Sequence, residues 1–194
     1  MGRRNPISEI NKRVNHFIQQ DLPRISGKMA VDEFRENFYR EGFRNNGITK
    51  WPDVKRRDKS SPWYGFQYKG EKRTSVAIRK DKKTGKYVRS KKQPKLNFSQ
   101  AATQRRILNG PGTNLANSIR VREASPGKVV IGTDLPYAKV HNEGGYIRIF
   151  GKKKVKVLRR QFIGESRELM DELEQKLLEN VDRIVDSVTD TSDH

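Results

Sequence analysis

The residues best suited to acid–base or metal chemistry are the three histidines, and their placement does not favour catalysis. They are His16, His141 and His194. No two of them have the H-x-x-x-H or H-E-x-x-H spacing that brings two imidazoles to one helix face, so no metal site is expected. His141 is followed by Asn142 and Glu143, but neighbouring helical residues point in different directions. We interpret His141 as a packed or hydrogen-bonded residue rather than a general base.

Motifs that bind phosphate or carry a nucleophile are also missing. The segment Gly110-Pro111-Gly112-Thr113-Asn114 is rich in glycine, but the Gly-Lys-Ser/Thr ending of a phosphate loop does not follow it. No Gly-x-Ser-x-Gly motif occurs. An acidic cluster of the kind that holds the metal of a nuclease is not apparent either. We therefore predict a protein that is not an enzyme, with no catalytic residue, cofactor or metal.

Composition excludes two further classes of protein. The chain has no cysteine, which excludes a disulfide framework and a thiolate metal site. Its longest apolar runs have three residues, against the ~18 that a membrane-spanning helix needs. No membrane partner is expected. No signal peptide is expected either, since no apolar stretch follows Met1–Pro6.

The formal net charge of +19 is distributed unevenly along the chain. Residues 50–95 carry 17 Lys and Arg against 4 Asp and Glu, and residues 146–160 carry 7 against none. From residue 164 to 194 the balance reverses, with 3 basic and 10 acidic residues. This division predicts either an anionic partner or contact between basic and acidic surfaces of identical subunits.

The basic segments supply the candidate contact residues. These are Lys55, Arg56, Arg57, Lys82, Lys83, Lys91, Lys92, Lys152, Lys153 and Lys154. Positive charge gives affinity for phosphates through counterion release, and the aromatic residues among them can stack on bases. No helix-turn-helix or RNP motif is present. Two interpretations stay open: a solvated surface or contact for an acidic protein neighbour, and contact with the backbone of double-stranded DNA.

The elements that must position these residues begin with amino-terminal helices. Apolar residues recur at three- and four-residue steps over 7–22, which predicts a first helix that begins near Pro6 and ends at Pro23. A second helix is predicted after Gly27. The residues on its apolar face are Val31, Phe34 and Phe38. Core packing against the first helix is their expected role.

The clearest helix lies at the other end of the chain. Apolar residues recur at three- and four-residue steps from Met170 to Val188. They predict a helix over residues 165–188, with a length of ~35 Å. Glu165 and Glu168 lie near its start, where the helix dipole favours negative charge.

A central hairpin is predicted between the helices. Alternation over residues 118–122 is typical of a half-buried strand, and the second strand covers residues 128–132. The turn between them is Ala124-Ser125-Pro126-Gly127. Asp134 is predicted to cap a short helix that Gly144-Gly145 ends.

Two basic hairpins are also predicted. One has residues 81–86 as its turn and a strand at residues 74–78 on its amino-terminal side. The other pairs residues 146–150 with residues 155–158 around Gly151-Lys152-Lys153-Lys154.

Together these elements predict an α+β fold. It consists of a small antiparallel sheet packed against an amino-terminal helical pair and a long carboxy-terminal helix, with a projecting basic loop or hairpin. Residues 1–194 are predicted to form a single domain. Its parts are a basic extension at 50–95, a central hairpin core at 96–163, the carboxy-terminal helix at 164–188 and a flexible tail at 189–194.

Several short motifs in the centre of the chain follow one another in an informative order. They are Gly112-Thr113-Asn114-Leu115, Ser118-Ile119, Val130-Ile131-Gly132-Thr133, Tyr137-Ala138-x-x-His141, Gly144-Gly145 and Phe162-Ile163-Gly164. In this order they resemble the phage virion morphogenesis family, the tail-completion and neck proteins of tailed phages typified by Mu-like phages. The resemblance covers residues 29–185 and is strongest over 107–145 and 160–175.

The resemblance implies a structural role for the family-signature residues. These are Gly112, Leu115, Ser118, Ile119, Gly132, Thr133, Tyr137, Ala138, His141, Gly144, Gly145, Phe162 and Gly164. The segment Phe34–Phe43 and the Asn-Gly-x-x-x-Trp segment after it also resemble parts of the family. The chain departs from the family pattern at Arg159-Arg160-Gln161, where prolines are usual.

The resemblance also implies a function. A member of this family would be a structural virion protein that acts in tail completion or head–tail joining as part of a ring. It would reside in the neck or tail of the virion, and in the host cytoplasm during assembly. Its partners would be copies of itself and other phage neck or tail proteins, with backbone contact to double-stranded DNA where basic arms face the lumen. The alternative is a stand-alone, sequence-nonspecific nucleic-acid-binding protein.

Overall fold

The computed structural model describes residues 5–67, 78–89, 97–110, 114–149 and 153–190. Its helices are α1 (Pro6–His16), α2 (Leu22–Arg40), α3 (Gln100–Gln104), α4 (Asn114–Asn117), α5 (Ala138–Glu143) and α6 (Arg167–Thr189). Its strands are β1 (Gly42–Arg44), β2 (Ile48–Lys50), β3 (Phe66–Gln67), β4 (Ile78–Lys80), β5 (Tyr87–Arg89), β6 (Asn97–Phe98), β7 (Arg120–Ser125), β8 (Lys128–Gly132), β9 (Gly145–Ile149) and β10 (Lys153–Val157).

The described strands form small antiparallel pairs. These are β1–β2, β3–β6, β4–β5, β7–β8 and β9–β10. Two-stranded sheets are marginal in isolation and need helices or neighbouring segments to stabilise them. The combination of long terminal helices with small antiparallel sheets confirms the predicted α+β class.

The chain divides into two compact units. The larger unit comprises Met1–Pro52 and Pro111–His194, and the smaller unit comprises Asp53–Gly110. The larger unit contains the long helices, the central hairpin β7–β8 and the hairpin β9–β10. The smaller unit contains α3 and the pairs β3–β6 and β4–β5.

The prediction that Pro23 ends the first helix is wrong, because α1 and α2 form one continuous helical run. Residues Phe17–Asp21 between them adopt a π-helix, in which the N–H of Leu22 donates to the carbonyl of Phe17. Pro23 is then the second residue of α2, directly after the π-helix. Gly27, predicted to precede the second helix, lies inside α2.

The hairpin β7–β8 crosses α2 at Gly27. A Cβ atom at Gly27 would lie 2.8 Å from Cγ2 of Val121 and 3.5 Å from Cγ1 of Val129, so the contact leaves no room for a side chain. The predicted turn is confirmed at Pro126-Gly127. The prediction of a half-buried strand is wrong, since Arg120 to Ala124 of β7 are all exposed.

The core of the larger unit forms around Phe38 and Phe162. Each side chain is 1% exposed, and their ring centroids are 5.1 Å apart. Trp51 packs edge-on against Phe38 at 5.4 Å. Its indole N–H donates to the carbonyl of Gln161 at 2.7 Å. Core packing of Phe38, together with buried Val31 and Phe34, is therefore confirmed. Packing against the first helix is wrong, because α1 and α2 belong to one helical run and Phe38 packs on Phe162 and Trp51 instead.

The final helix, predicted over residues 165–188, is α6. The Ser166 hydroxyl caps it by accepting from the N–H of Leu169 at 3.3 Å. Glu168 in its first turn accepts from the N–H groups of Asn46 and Gly47, at 3.1 and 2.8 Å. These two bonds lower the pKa of Glu168, with the Gly47 bond as the larger cause. The start of α6 is therefore tied to the turn between β1 and β2.

Arg56 organises the smaller unit. It is buried, and its guanidinium donates to the carbonyls of Ala102 at 3.1 Å, Arg105 at 2.6 Å and Arg106 at 2.8 Å. Phe66 adds edge contacts to Trp63 and Phe98. The predicted turn at residues 81–86 is confirmed between β4 and β5. Of the strand predicted at 74–78, only Ile78 lies within the described residues.

Replacing Phe162 tests the core. We expect Phe162→Ala to destabilise the protein by about 3–5 kcal/mol, because it opens a cavity in a fully buried site and removes the ring contact with Phe38. Urea unfolding followed by circular dichroism measures this loss. Phe162→Leu is the matched control and should lose less. Equal stability of Phe162→Ala and wild type would contradict this description of the core.

Candidate functional site

Four of the signature residues, Leu115, Ser118, Ile119 and Thr133, lie together at the open end of the central hairpin. Ser118 precedes β7 and Thr133 follows β8, and their hydroxyl oxygens are 2.6 Å apart. The Ser118 hydroxyl donates to the carbonyl of Leu115 at 2.7 Å, which leaves Thr133 as the donor between the two hydroxyls. Thr133 in turn accepts from the N–H of Leu135 at 3.2 Å. These contacts close the hairpin, and buried Leu115 and Ile119 anchor it.

The prediction that Asp134 caps a helix is wrong. Helix α5 begins at Ala138, and no side chain caps it. The Asp134 carboxylate instead accepts hydrogen bonds from Arg120 and Arg122 of β7. These bonds lower the pKa of Asp134, with the Arg122 bond as the larger cause. Two guanidinium groups across the hairpin are stronger partners for a carboxylate than one helical N–H.

Tyr137 and His141 contact each other along α5. Their rings lie edge to face, 6.0 Å apart. The Nδ1 atom of His141 is buried and forms no hydrogen bond within the described part of the chain. Burial lowers the pKa of His141, and the positive charge of Arg160 lowers it further. The imidazole is therefore mainly neutral at pH 7.

The segment after β10 is fixed by hydrogen bonds from its backbone to the backbone of α5 and to asparagine side chains of α5 and α2. The N–H of Arg160 donates to the carbonyl of His141 at 2.7 Å. The side-chain oxygen of Asn142 accepts from the N–H groups of Phe162 and Ile163, at 2.9 and 3.0 Å. From the opposite side, Asn37 donates to the carbonyl of Phe162 at 3.2 Å. We name residues 160–163, held by these two asparagines, the Phe162 clamp.

Gly144 ends α5, as predicted, and lets the chain approach closely at Arg159, the residue before the clamp. Its φ of +79° is in the region that favours glycine, and a Cβ atom there would lie 3.1 Å from the N atom of Arg159. Gly145 has a φ of +136° and begins β9. Gly112 lies outside the described residues.

Sequence reasoning missed the two asparagines of the clamp. Asn37 is fully buried three residues after Phe34, so a polar residue on the apolar stripe of α2 was the available signal. Asn142 offered no comparable signal, because its partners are 20 and 21 residues away along the chain.

The predicted contact residues fall into different environments. Arg56 is buried inside the smaller unit, and Arg57 beside it donates to the carbonyls of Thr103 and Arg105. Lys55, Lys82 and Lys83 are exposed. Lys91, Lys92 and Lys152 lie outside the described residues, as does the side chain of Lys153. Lys154 is exposed on β10.

Lys154 belongs to a basic face of the hairpin β9–β10. Arg148 is paired with Lys154, and Tyr146 with Lys156. Residues opposite each other and two apart along a strand share one side of a sheet. The Nζ atom of Lys154 lies 4.4 Å from the centre of the Tyr146 ring. We name Tyr146, Arg148, Lys154 and Lys156 the hairpin face; within the described residues its three cations form no ion pair.

An acidic stripe runs along the outer side of α6. Asp171, Glu174, Leu178 and Asp182 follow one another at three- and four-residue steps, so they lie on one side of the helix. All are exposed, and Leu178 retains 56% of its accessible surface. Among the described residues, none of the three carboxylates has an ion-pair partner. We name these four residues the helix stripe.

No arrangement for chemistry is visible in the part of the chain that the structure describes. Within it, no group of three or more His, Asp or Glu residues is placed to hold a metal ion. No described helix is both long enough and apolar enough to cross a membrane. The geometry at the signature residues instead fixes one backbone segment against another.

Comparison with known proteins yields one family. The model of the phage virion morphogenesis family matches residues 69–182, more than half of the chain. The match includes the central hairpin, α5, the Phe162 clamp and most of α6. It does not reach Phe34–Phe43 or Trp51, and it does not distinguish Mu-like members. No curated protein and no solved structure is significantly similar to the chain.

Replacing Asn142 tests the Phe162 clamp. We expect Asn142→Ala to destabilise the protein by about 1–3 kcal/mol, since two backbone N–H groups lose their acceptor. Thermal unfolding measures the effect. Asn142→Asp retains an acceptor oxygen and should lose less; equal losses for the two variants would show that the hydrogen bonds are unimportant.

His141 predicts a pH dependence of stability. Its pKa is below 6.5 in the folded protein, so below about pH 6.5 the unfolded chain takes up a proton that the folded chain does not. Stability should therefore fall between pH 6.5 and 5, above the range in which carboxylates titrate. We expect His141→Gln to flatten this part of the curve, measured as urea midpoint against pH. His16→Gln is the control, and a decline that persists unchanged in His141→Gln would refute the assignment.

Proposed function

The chain belongs to the phage virion morphogenesis family, and from this premise we propose that it acts in tail completion or head–tail joining as a subunit of a ring. The family is one of structural virion proteins, so a place in the virion follows directly. The finer role, the ring and the neck or tail position are our proposal.

The family match is the main support for the proposal, because the matched residues include large exposed surfaces. The matched residues include β9–β10 and most of α6, with Tyr146 60% exposed and Met170 63% exposed. Large apolar side chains beside unpaired charges are typical of surfaces that other proteins cover. The hairpin face and the helix stripe have opposite charge, which suits a heterologous contact between copies.

Partners and location follow from this role. We propose copies of the same chain and other neck or tail proteins as partners, with assembly in the host cytoplasm before incorporation into the virion. Basic residues that face the lumen of a ring, such as Lys82 and Lys83, would contact the backbone of double-stranded DNA. No enzymatic activity is proposed.

A second candidate function is sequence-nonspecific nucleic-acid binding by a single chain. The observation that favours it is the placement of Arg148 directly opposite Lys154, because like charges in opposed positions destabilise a hairpin unless an anion neutralises them. A duplex backbone would supply that anion.

Loss of the gene in its phage or prophage tests the proposed function. We expect heads and tails to form but to remain unjoined, or tails to remain incomplete, because a joining protein acts after its neighbours are made. Electron microscopy of lysates and infectious titre measure this, with a plasmid copy as the control. Purified protein should form rings by negative stain and light scattering. A strict monomer that is absent from virions and binds duplex DNA would contradict the proposal and support the second candidate.

A further inference from the structure

We propose that the hairpin face of one copy binds the helix stripe of the next copy, and that this contact is the repeating interface of the ring. The inference rests on the proposed function and names the two surfaces that it needs. Both surfaces belong to the larger unit.

The two surfaces match in composition. The hairpin face has three cations around one aromatic ring, Tyr146. The helix stripe has three carboxylates around one exposed aliphatic side chain, Leu178. An apolar contact at the centre with charge pairs around it is the usual arrangement of a protein interface.

The two surfaces also match in spacing. Residues two apart along β9 or β10 are ~6.7 Å apart, and neighbouring strands are ~4.8 Å apart. Residues four apart on α6 rise by ~6 Å. With Leu178 against the Tyr146 ring, Glu174 and Asp182 lie one helical turn to either side, within reach of the long Lys and Arg side chains.

Each surface is unfavourable alone. Arg148 and Lys154 are directly opposed cations on a sheet of only two strands, and nothing described neutralises them. Along α6, Asp182 is followed four residues later by Asp186, a like-charge spacing that destabilises a helix. Contact between the two surfaces relieves both repulsions.

A second copy fits the hairpin face better than duplex DNA does. Three cations release about three counterions, which gives a salt slope near −3 and weak binding. The exposed Tyr146 adds little on a duplex, whose bases are already stacked. In a ring the same contact repeats between every pair of neighbours, because each copy presents both the hairpin face and the helix stripe.

Reversal of charge on each surface tests the interface in the full-length protein. The hairpin variant is Lys154→Glu with Lys156→Glu, and the helix variant is Glu174→Lys with Asp182→Lys. The control is Arg24→Glu with Lys28→Glu, at exposed positions of α2. It makes the same charge change as the hairpin variant. Sedimentation velocity measures self-association, and circular dichroism confirms folding. Lys154→Gln with Lys156→Gln replaces the hairpin variant if the latter unfolds.

We expect the hairpin and helix variants each to assemble at least about tenfold more weakly than wild type, and the control to assemble normally. An equimolar mixture of the two variants should assemble, since each supplies the surface that the other has lost. A chain carrying all four substitutions should also assemble with itself.

The outcomes separate this inference from the proposed function. If wild type forms rings and the hairpin variant forms them equally well, the ring stands and the interface is wrong. The interface is also wrong if the fourfold variant assembles no better than the two separate variants. If wild type stays monomeric and the hairpin variant loses duplex DNA binding that the fourfold variant does not regain, both proposals fail and the face binds DNA.

Discussion

The fixation of Phe162 is the constraint on which the rest of the larger unit depends. Its side chain fills the space beside Phe38, while its backbone is held by Asn142 from α5 and Asn37 from α2. Phe162 therefore combines apolar packing of its side chain with hydrogen bonds to its backbone N–H and carbonyl. Without those bonds, the two buried polar groups would be unpaired. Because β10 ends just before Phe162 and α6 begins just after it, its position also sets where the basic hairpin and the acidic helix emerge.

The parts that sequence reasoning predicted well are those with local patterns. The apolar stripe of α6, the Pro126-Gly127 turn and the glycine end of α5 depend on residues within a few positions of one another. The α+β class and the family followed from such patterns in order. Pro23 misled because its usual effect on a helix was avoided by a π-helix that no local pattern indicates.

The site was harder to predict because its contacts are long-range. Asp134 lies a few residues before a short helix, where a capping residue is expected, yet its carboxylate accepts hydrogen bonds from two arginines of β7. Arg56 looked like its basic neighbours, yet it is a buried donor to three carbonyls, while Lys55 next to it is exposed. Charge runs in a sequence thus give the sign of a surface but not which members contribute to it.

The π-helix at Phe17–Asp21 lets one helical run pack against two different parts of the fold. A π-turn inserts about one extra residue, and one residue corresponds to about 100° around the helix axis. The phase of the apolar stripe therefore changes at that point. α1 can direct its stripe to α6, where Arg13 reaches Ser187, while α2 directs its own stripe to the central hairpin and Phe162. One continuous helical run therefore presents two apolar surfaces to different neighbours, without a loop between them.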